Sequence, residues 1–178
     1  MCRIFRRKKT VTQESLKEGR DLFFKFGGSI FGMMQEGVYP KYKKLHIPKD
    51  EEERWRNTLF DDTIETFKAE TNICEKVFLI SRLIDFGIRE DAVFSVLIDF
   101  LNQNIDTFTI ILLCENLKRF LKYTKKDVIY AQANTIIRNK KNEMLRSAIT
   151  VDEEYKKNSY MLSYDFSDEN LKVRINNL

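Results

Sequence analysis

DTFTIILLCENLKRFL, residues 106–121, carries its apolar side chains at helical spacing, and this period sets the fold class. The repeat places one apolar residue every three or four positions, at Ile110, Leu113, Leu117, Phe120 and Leu121. Asp106 stands where a carboxylate accepts hydrogen bonds from the first N–H groups of a helix. The stretch therefore predicts an amphipathic helix that begins after Asp106.

The same period extends on both sides, over residues 50 to about 147. Asp50 with Glu53 resembles a capping box, and it predicts a helix from there to about Thr71. Two further helices follow, and Gly87 is placed to end the first of them with a left-handed residue. Thr124 with Asp127 offers a weaker capping box for a last helix.

Two of these helix pairs resemble each other. Leu79, Leu83 and Phe86 recur 34 residues later as Leu113, Leu117 and Phe120, and the apolar positions of the next helix recur after 36 residues. Stacked helical hairpins of this period are typical of solenoid repeats. Chance agreement between two apolar helix faces is the alternative, and the spacing does not decide between them.

The C-terminal stretch changes its pattern. Apolar and polar residues alternate over residues 160–166 and again over 171–175, on either side of the turn-like SDEN at 167–170. A period of two is typical of half-buried strands. We therefore expect a small β-hairpin at the C-terminus, packed on the helices.

The glycine-rich stretch DLFFKFGGSIFGMMQEG, residues 21–37, is not a phosphate loop, because Met33 and Met34 stand where Lys and Ser or Thr are needed. Its uncharged run covers only residues 26–35, whereas a membrane-spanning helix needs roughly 20 residues. We expect a helix beginning near Thr12 that runs through these residues, with its glycines allowing close packing of another helix.

Together these patterns predict a mainly α protein. About six helices would form an irregular bundle or a short HEAT-like array of helical hairpins, with the small C-terminal β-hairpin added. The expected domains are a basic N-terminal tail (1–11), a helical domain (12–150) and a C-terminal segment with the hairpin (151–178).

Charge is distributed in blocks. Residues 1–49 contain 12 Lys and Arg against 4 Asp and Glu, residues 50–116 contain 6 against 15, and residues 117–147 contain 9 against 2. Such blocks either pair with one another inside the fold or present charged faces to partners.

Residues with catalytic or metal-binding chemistry are few. His46 is the only histidine, and the three cysteines form no CxxC pair. We therefore expect no enzyme activity, no metal and no cofactor, and a reducing cytoplasmic location. An enzyme would need a pocket that gathers Asp61, Glu65, His46 or Cys74.

The functional prediction is a non-catalytic intracellular protein-interaction protein. An adaptor, an inhibitor or an immunity protein that neutralises a toxin would fit, the last by analogy of size alone. Its partner is expected to be another protein, with a basic protein as the candidate. The predicted contact surface consists of charged helical faces, with Asp61, Asp62 and Glu65 on the acidic side and Lys118, Lys122, Lys140 and Lys141 on the basic side.

The alternative is a nucleic-acid-binding protein that uses the basic region 117–147. Lysines at helical spacing give salt-dependent contacts to phosphates, but no base-reading motif accompanies them. No transmembrane segment is expected. Peripheral membrane contact through Cys2 and the basic N-terminus is a weaker hypothesis, because a basic cluster without a second signal anchors poorly.

Overall fold

The computed structural model describes residues 11–158, 161 and 163–178. Over these residues the chain forms ten helices: α1 Gln13–Lys25, α2 Ile30–Gln35, α3 Tyr39–Lys44, α4 Lys49–Ala69, α5 Ile73–Asp85, α6 Glu90–Leu101, α7 Thr107–Leu121, α8 Asp127–Met144, α9 Glu153–Lys157 and α10 Asp168–Asn177. They fall into two compact units, Met1–Asp62 and Thr63–Leu178, with the division inside α4. The mainly α prediction is confirmed, although the number of helices exceeds six.

The first unit contains α1, α2, α3 and the first part of α4. Its core is aromatic: the Phe23 ring on α1 lies 6.5 Å from the Tyr42 ring on α3 and 5.6 Å from the Trp55 ring on α4. The Tyr42 hydroxyl donates a 2.6 Å hydrogen bond to Glu52, and burial together with this carboxylate raises the pKa of Tyr42. These contacts join α1, α3 and α4.

The prediction of one continuous helix through the glycine-rich stretch was wrong. Helix α1 ends at Lys25, Gly27 and Gly28 adopt left-handed φ angles of 56° and 74°, and Ser29 then caps α2 by accepting from the Gly32 N–H at 3.0 Å. Two adjacent residues with positive φ cannot continue a right-handed helix, so the chain turns.

Close packing against a glycine does occur, but at a position that the sequence did not single out. A Cβ atom added to Gly19 on α1 would lie 2.4 Å from the Ile47 Cδ1 atom. Gly19 itself is buried. The absence of a side chain there lets the segment between α3 and α4 approach the helix.

The second unit is built around α7, which packs against α5, α6, α8 and α10. Helices α5 and α6 form one hairpin and α7 and α8 the next, with α5 beside α7. The Asp106 carboxylate accepts from the Thr109 N–H at 3.1 Å, as expected of the N-cap, and Gly87 follows α5 with a φ of 63°. The recurring positions are buried in both hairpins except Ile136, which is partly exposed, while a true repeat stays a prediction.

Two predicted capping boxes are not observed. Helix α4 begins at Lys49, directly after Pro48, so Asp50 lies in its first turn and is not its cap. At α8 the N-cap is Lys126, and the Thr124 hydroxyl donates to Glu90 at 2.5 Å instead. Acidic side chains in the first turn of both helices still complement the helix dipole.

The predicted C-terminal β-hairpin was wrong. The described residues of this segment contain no strand and form α9 and α10; residues 159, 160 and 162, which the prediction also used, lie outside the described part. Ser167 caps α10 by accepting from the Asn170 N–H at 3.3 Å. Leu171 and Ile175, four residues apart, are fully buried, whereas Val173 is 54% exposed. The true period is therefore helical.

Helices α9 and α10 complete a second core. Phe108 on α7 meets the Tyr155 ring of α9 edge-on at 4.8 Å, and the Tyr155 hydroxyl lies 3.0 Å from the Thr109 hydroxyl. On α10, Arg174 donates from Nε to the Glu115 carboxylate at 2.9 Å and from Nη2 to its other oxygen. Burial opposes the charge of Arg174, but these hydrogen bonds outweigh it and raise the pKa of the guanidinium.

The turn at Gly28 predicts that alanine substitutions at Gly28 and Gly37 destabilise the protein to different degrees. Gly28→Ala places a Cβ atom in the left-handed region and 3.0 Å from the Phe23 Cζ atom, whereas Gly37→Ala meets nothing within 4 Å at a φ of 67°. We expect Gly37→Ala to lower the free energy of unfolding by about 1 kcal/mol. Gly28→Ala should lower the free energy of unfolding by about 1 kcal/mol more than Gly37→Ala does, since the aromatic core must also shift.

Urea unfolding followed by circular dichroism measures both variants. Equal decreases in the free energy of unfolding for the two variants would show that the Phe23 contact does not constrain this turn.

The helical register of α10 predicts that alanine substitutions at Ile175 and Val173 destabilise the protein unequally. Ile175→Ala should lower the free energy of unfolding by about 2–4 kcal/mol, because it leaves a cavity in the second core. Val173→Ala should change it by less than about 0.5 kcal/mol, because that side chain faces solvent.

In a hairpin both residues would share the buried face. Similar losses at Ile175 and Val173 in chemical denaturation would therefore contradict the helical register.

Candidate functional site

A groove runs between α6 and α8. Both helices pack on α7, but within the described part of the chain they do not pack closely on each other. Two adjoining cavities of about 720 Å³ and 560 Å³ occupy the gap and share Phe94, Ile98 and Gln132 in their walls. The groove therefore extends over more than one helical turn of each wall.

The walls of the groove are mostly apolar. Phe94 and Ile98 line it from α6, while Val128, Ile129 and Ile136 line it from α8. The Phe94 ring stacks on the Phe120 ring of α7 at 6.4 Å, which fixes its position in the floor. Val128, in the wall of the larger cavity, is 70% exposed.

Charged residues lie at the end of the groove where α6 and α8 begin. Lys126 Nζ lies 2.6 Å from the Asp91 carboxylate and joins the two first turns. Asp99 accepts a 3.3 Å hydrogen bond from Ser95, and neither Asp99 nor Asp127 forms an ion pair among the described residues. Asp99 lies near the C-terminal end of α6, and the three aspartates against one lysine give the wall of the larger cavity a formal net charge of −2.

The acidic residues predicted from the sequence lie elsewhere, on α4. Asp61, Asp62 and Glu65 are all exposed, and Asp61 and Glu65 are four residues apart along the helix. Glu65 accepts from Lys68 Nζ at 2.7 Å within its own helix. None of the three lines the α6–α8 groove.

Three of the four predicted lysines form contacts within the protein. Lys118 Nζ donates to the Asn177 carbonyl oxygen at 2.9 Å and Lys141 Nζ to the Asn176 carbonyl oxygen at 2.6 Å. Both carbonyls belong to the C-terminal end of α10, where positive charge is favourable. Lys140 pairs with Glu143 at 3.0 Å.

Lys122 is the exception among the four. It is exposed and has no ion-pair partner in the described ranges. The predicted basic surface is therefore partly a set of structural contacts around α10.

His46, Cys74 and Cys114 all lie outside the lining of the α6–α8 groove. His46 is exposed in the segment between α3 and α4, with a φ of 52°. Burial raises the pKa of the Cys74 thiol to about 11, with a further contribution from Glu154, and burial raises the pKa of Cys114 to about 12. Both thiols are thus protonated and weakly nucleophilic at neutral pH.

In the described part of the chain, no group of three or more His, Cys, Asp or Glu side chains is arranged to hold a metal ion. None of the residues that an enzyme hypothesis would need, His46, Cys74, Asp61 or Glu65, lines the α6–α8 groove.

Sequence reasoning missed the groove. The helical period includes Val128, Ile129 and Ile136 as residues of one apolar face and leaves out Phe94 and Ile98. The available signal was a second apolar face on α6, where Phe94 and Ile98 stand beside the core positions Val93 and Leu97. A helix with apolar residues on two faces has one more surface than a single core needs.

No described helix has both the length and the apolar character needed to cross a bilayer. The chain matches no protein-family model, and no curated protein or solved structure is significantly similar to it. Inference about function therefore depends on the groove and the surface of this protein alone.

The contacts of α10 predict which lysines stabilise the fold. Lys118→Met and Lys141→Met should each lower the free energy of unfolding by about 0.5–1 kcal/mol, because each removes a positive charge from the carbonyl end of α10. Lys122→Met serves as the matched control and should change it by less than about 0.3 kcal/mol.

Thermal and urea unfolding of the three variants checks this. Equal effects at all three positions would show that the contacts with α10 do not contribute to stability.

Proposed function

We propose that this protein is a non-catalytic, cytoplasmic interaction protein that holds an amphipathic helix of a protein partner in the groove between α6 and α8. The observation that supports the proposal is the groove itself, with apolar walls on two helices that do not pack closely on each other. An amphipathic helix that lays its apolar face into such a groove is a recurring mode of protein recognition.

The dimensions of the groove favour a helix over a smaller ligand. Its two cavities of about 720 Å³ and 560 Å³ follow α6 and α8 from Asp91 and Asp127 to Ile98 and Ile136. Apolar side chains spaced three and four residues apart on a third helix would fill them in sequence. Burying the exposed Val128 side chain under such a helix would contribute to the binding free energy.

The charges of the groove favour a partner with basic residues. Asp127 lies where α8 begins and Asp99 lies near the C-terminal end of α6, while Lys126 is already paired with Asp91. No charged side chain lines the smaller cavity. Lysine or arginine on the partner helix would therefore pair with these aspartates and increase the rate of encounter.

Binding of this kind requires no reacting group, which accords with an adaptor, an inhibitor or an immunity protein. Selection among these roles depends on the identity of the partner. Cys74 and Cys114 are free thiols, which accords with a reducing compartment.

The groove predicts that a basic amphipathic peptide binds and that one substitution blocks it. A fluorescent Leu/Lys helical peptide of about 18 residues, five turns long, serves as the probe. Gln132→Arg puts a cation between the two cavities and should weaken binding at least about tenfold, equivalent to about 1.4 kcal/mol. Fluorescence anisotropy measures the dissociation constants.

The matched control is Asn134→Arg, which adds the same side chain to the exposed face of the same helix, outside the groove. It should leave the affinity within about twofold. A Leu/Glu peptide of the same length should bind more weakly than the Leu/Lys peptide. Equal affinities of the two arginine variants, or preference for the acidic peptide, would contradict the proposal.

Nucleic-acid binding through residues 117–147 stays an untested prediction, and a separate experiment distinguishes it from binding in the groove. Binding of a random DNA duplex at low salt that is lost in Lys122→Glu and unchanged in Gln132→Arg would favour that function over the groove.

A further inference from the structure

The carboxylates of the α6–α8 groove lie at two levels along it. Asp91 and Asp127 stand in the first turns of α6 and α8, whereas Asp99 stands near the C-terminal end of α6. Asp99 follows Asp91 by eight residues in the sequence. Because a helix rises by 1.5 Å per residue, the second level lies about 12 Å, or two helical turns, further along the groove than the first.

Both walls of the groove run in the same direction. At its start, Lys126 Nζ before α8 lies 2.6 Å from the Asp91 carboxylate on α6. Further along the two helices, Ile98 and Gln132 together line both cavities. A helix that lies between α6 and α8 therefore passes the two acidic levels one after the other.

Within the described ranges, each level has one carboxylate without a cationic partner. At the first level, Lys126 neutralises Asp91, and Asp127 remains. At the second level, Asp99 accepts a 3.3 Å hydrogen bond from the Ser95 hydroxyl, one turn earlier on the same helix. A hydroxyl group does not neutralise a carboxylate, so Asp99 keeps its negative charge and a second oxygen for a cation.

The surface between the two levels is apolar. Phe94 and Ile98 line it on α6, and Ile129 lines it on α8. The Phe94 ring is stacked on the Phe120 ring at 6.4 Å, so this part of the floor is fixed by the core beneath it. An apolar side chain of a partner has its contact here, between the two carboxylates.

We infer that the groove selects a helix with two basic residues seven or eight positions apart and an apolar residue three or four positions from each. One cation pairs with Asp127, the other pairs with Asp99, and the apolar side chain lies on Phe94 between them. Residues at these spacings share one face of a helix and span two turns. The inference rests on the proposed function and specifies the sequence pattern of its partner.

The spacing of the cations matters as well as their number. Two basic residues three positions apart differ by about 4.5 Å along the helix axis, which is less than half of the distance between the two levels. When one of them pairs with Asp127, the other lies over the apolar surface and not beside Asp99. Such a helix has the same net charge but gains one ion pair in place of two.

The experiment compares two isomeric peptides by fluorescence anisotropy with the full chain. Both are helical, about 18 residues long, and contain the same leucines, alanines, glutamines and two lysines. The lysines stand seven positions apart in the first peptide and three positions apart in the second. We expect the first peptide to bind at least about threefold more tightly at low salt, and the difference to disappear at about 0.5 M salt.

Variants of the protein then assign each lysine to one carboxylate. Asp99→Asn and Asp127→Asn should each weaken binding of the first peptide by about threefold. Replacing one lysine of the peptide with glutamine should abolish the effect of one of these variants and leave the effect of the other, because each cation has its own carboxylate.

The matched control is Asp62→Asn, which makes the same change in net charge at an exposed position of α4 outside the groove. It should leave the affinity within about 1.5-fold. Equal binding of the two isomers, or equal effects of Asp62→Asn and the groove variants, would show that net charge governs the affinity. Either result would overturn the inference and leave the proposed function intact.

Failure of the proposed function has a different signature. If neither isomer binds although the Leu/Lys peptide does, the two-lysine pattern is wrong and the inference is overturned alone. If the Leu/Lys peptide also fails to bind, the groove holds no basic helix, and the proposed function and the inference are overturned together.

Discussion

The burial of α7 on nearly all sides is the constraint on which the second unit depends. Phe108, Thr109, Ile111, Leu113, Cys114 and Leu117 are all fully buried, so successive residues of one helix face different neighbours. A helix that is apolar around most of its circumference must be enclosed. Helices α5, α6, α8 and α10 do this, and Arg119 on α7 donates 2.7 Å hydrogen bonds to the carbonyl and hydroxyl oxygens of Ser81 on α5.

The sequence predicted the long helices well because their signals are local and repeated. Asp106 and Gly87 mark helix ends through interactions within four residues, and an apolar face several turns long has only one consistent period. The C-terminal segment lacked this redundancy. A period of two fits Leu171, Val173 and Ile175, and a helical period fits Leu171, Ile175 and Leu178 equally well. Ser167 and the acidic residues after it also resemble a turn, although Ser167 is a helix cap. The glycine pair was ambiguous for a similar reason, because only positive φ angles distinguish a break from a close contact.

The candidate site was harder to predict than the fold, because its properties arise between residues that are distant in sequence. The contact from Lys118 to Asn177 spans 59 residues and that from Lys141 to Asn176 spans 35, so no local pattern shows that these lysines already have acceptors. Charge counts treat every lysine as available to a partner. A count can locate basic and acidic blocks, but the tertiary structure decides which charges remain on the surface.

The open groove follows from the same enclosure of α7. Helices α6 and α8 must both contact α7. The side chains buried there are Val93 and Leu97 on α6 and Ala133 and Ile137 on α8. Toward each other the two helices present Ser95, Gln132 and Thr135 beside Phe94 and Ile98. Ser95 and Thr135 have partners on their own helices, but closing the gap would bury the Gln132 amide without an assured partner, at a cost of about 1–3 kcal/mol. An incoming helix faces a smaller penalty, because its own polar residues can lie along the rim while its apolar face covers the floor. The arrangement that makes α7 a stable centre therefore also leaves α6 and α8 apart, and a groove between them is the consequence.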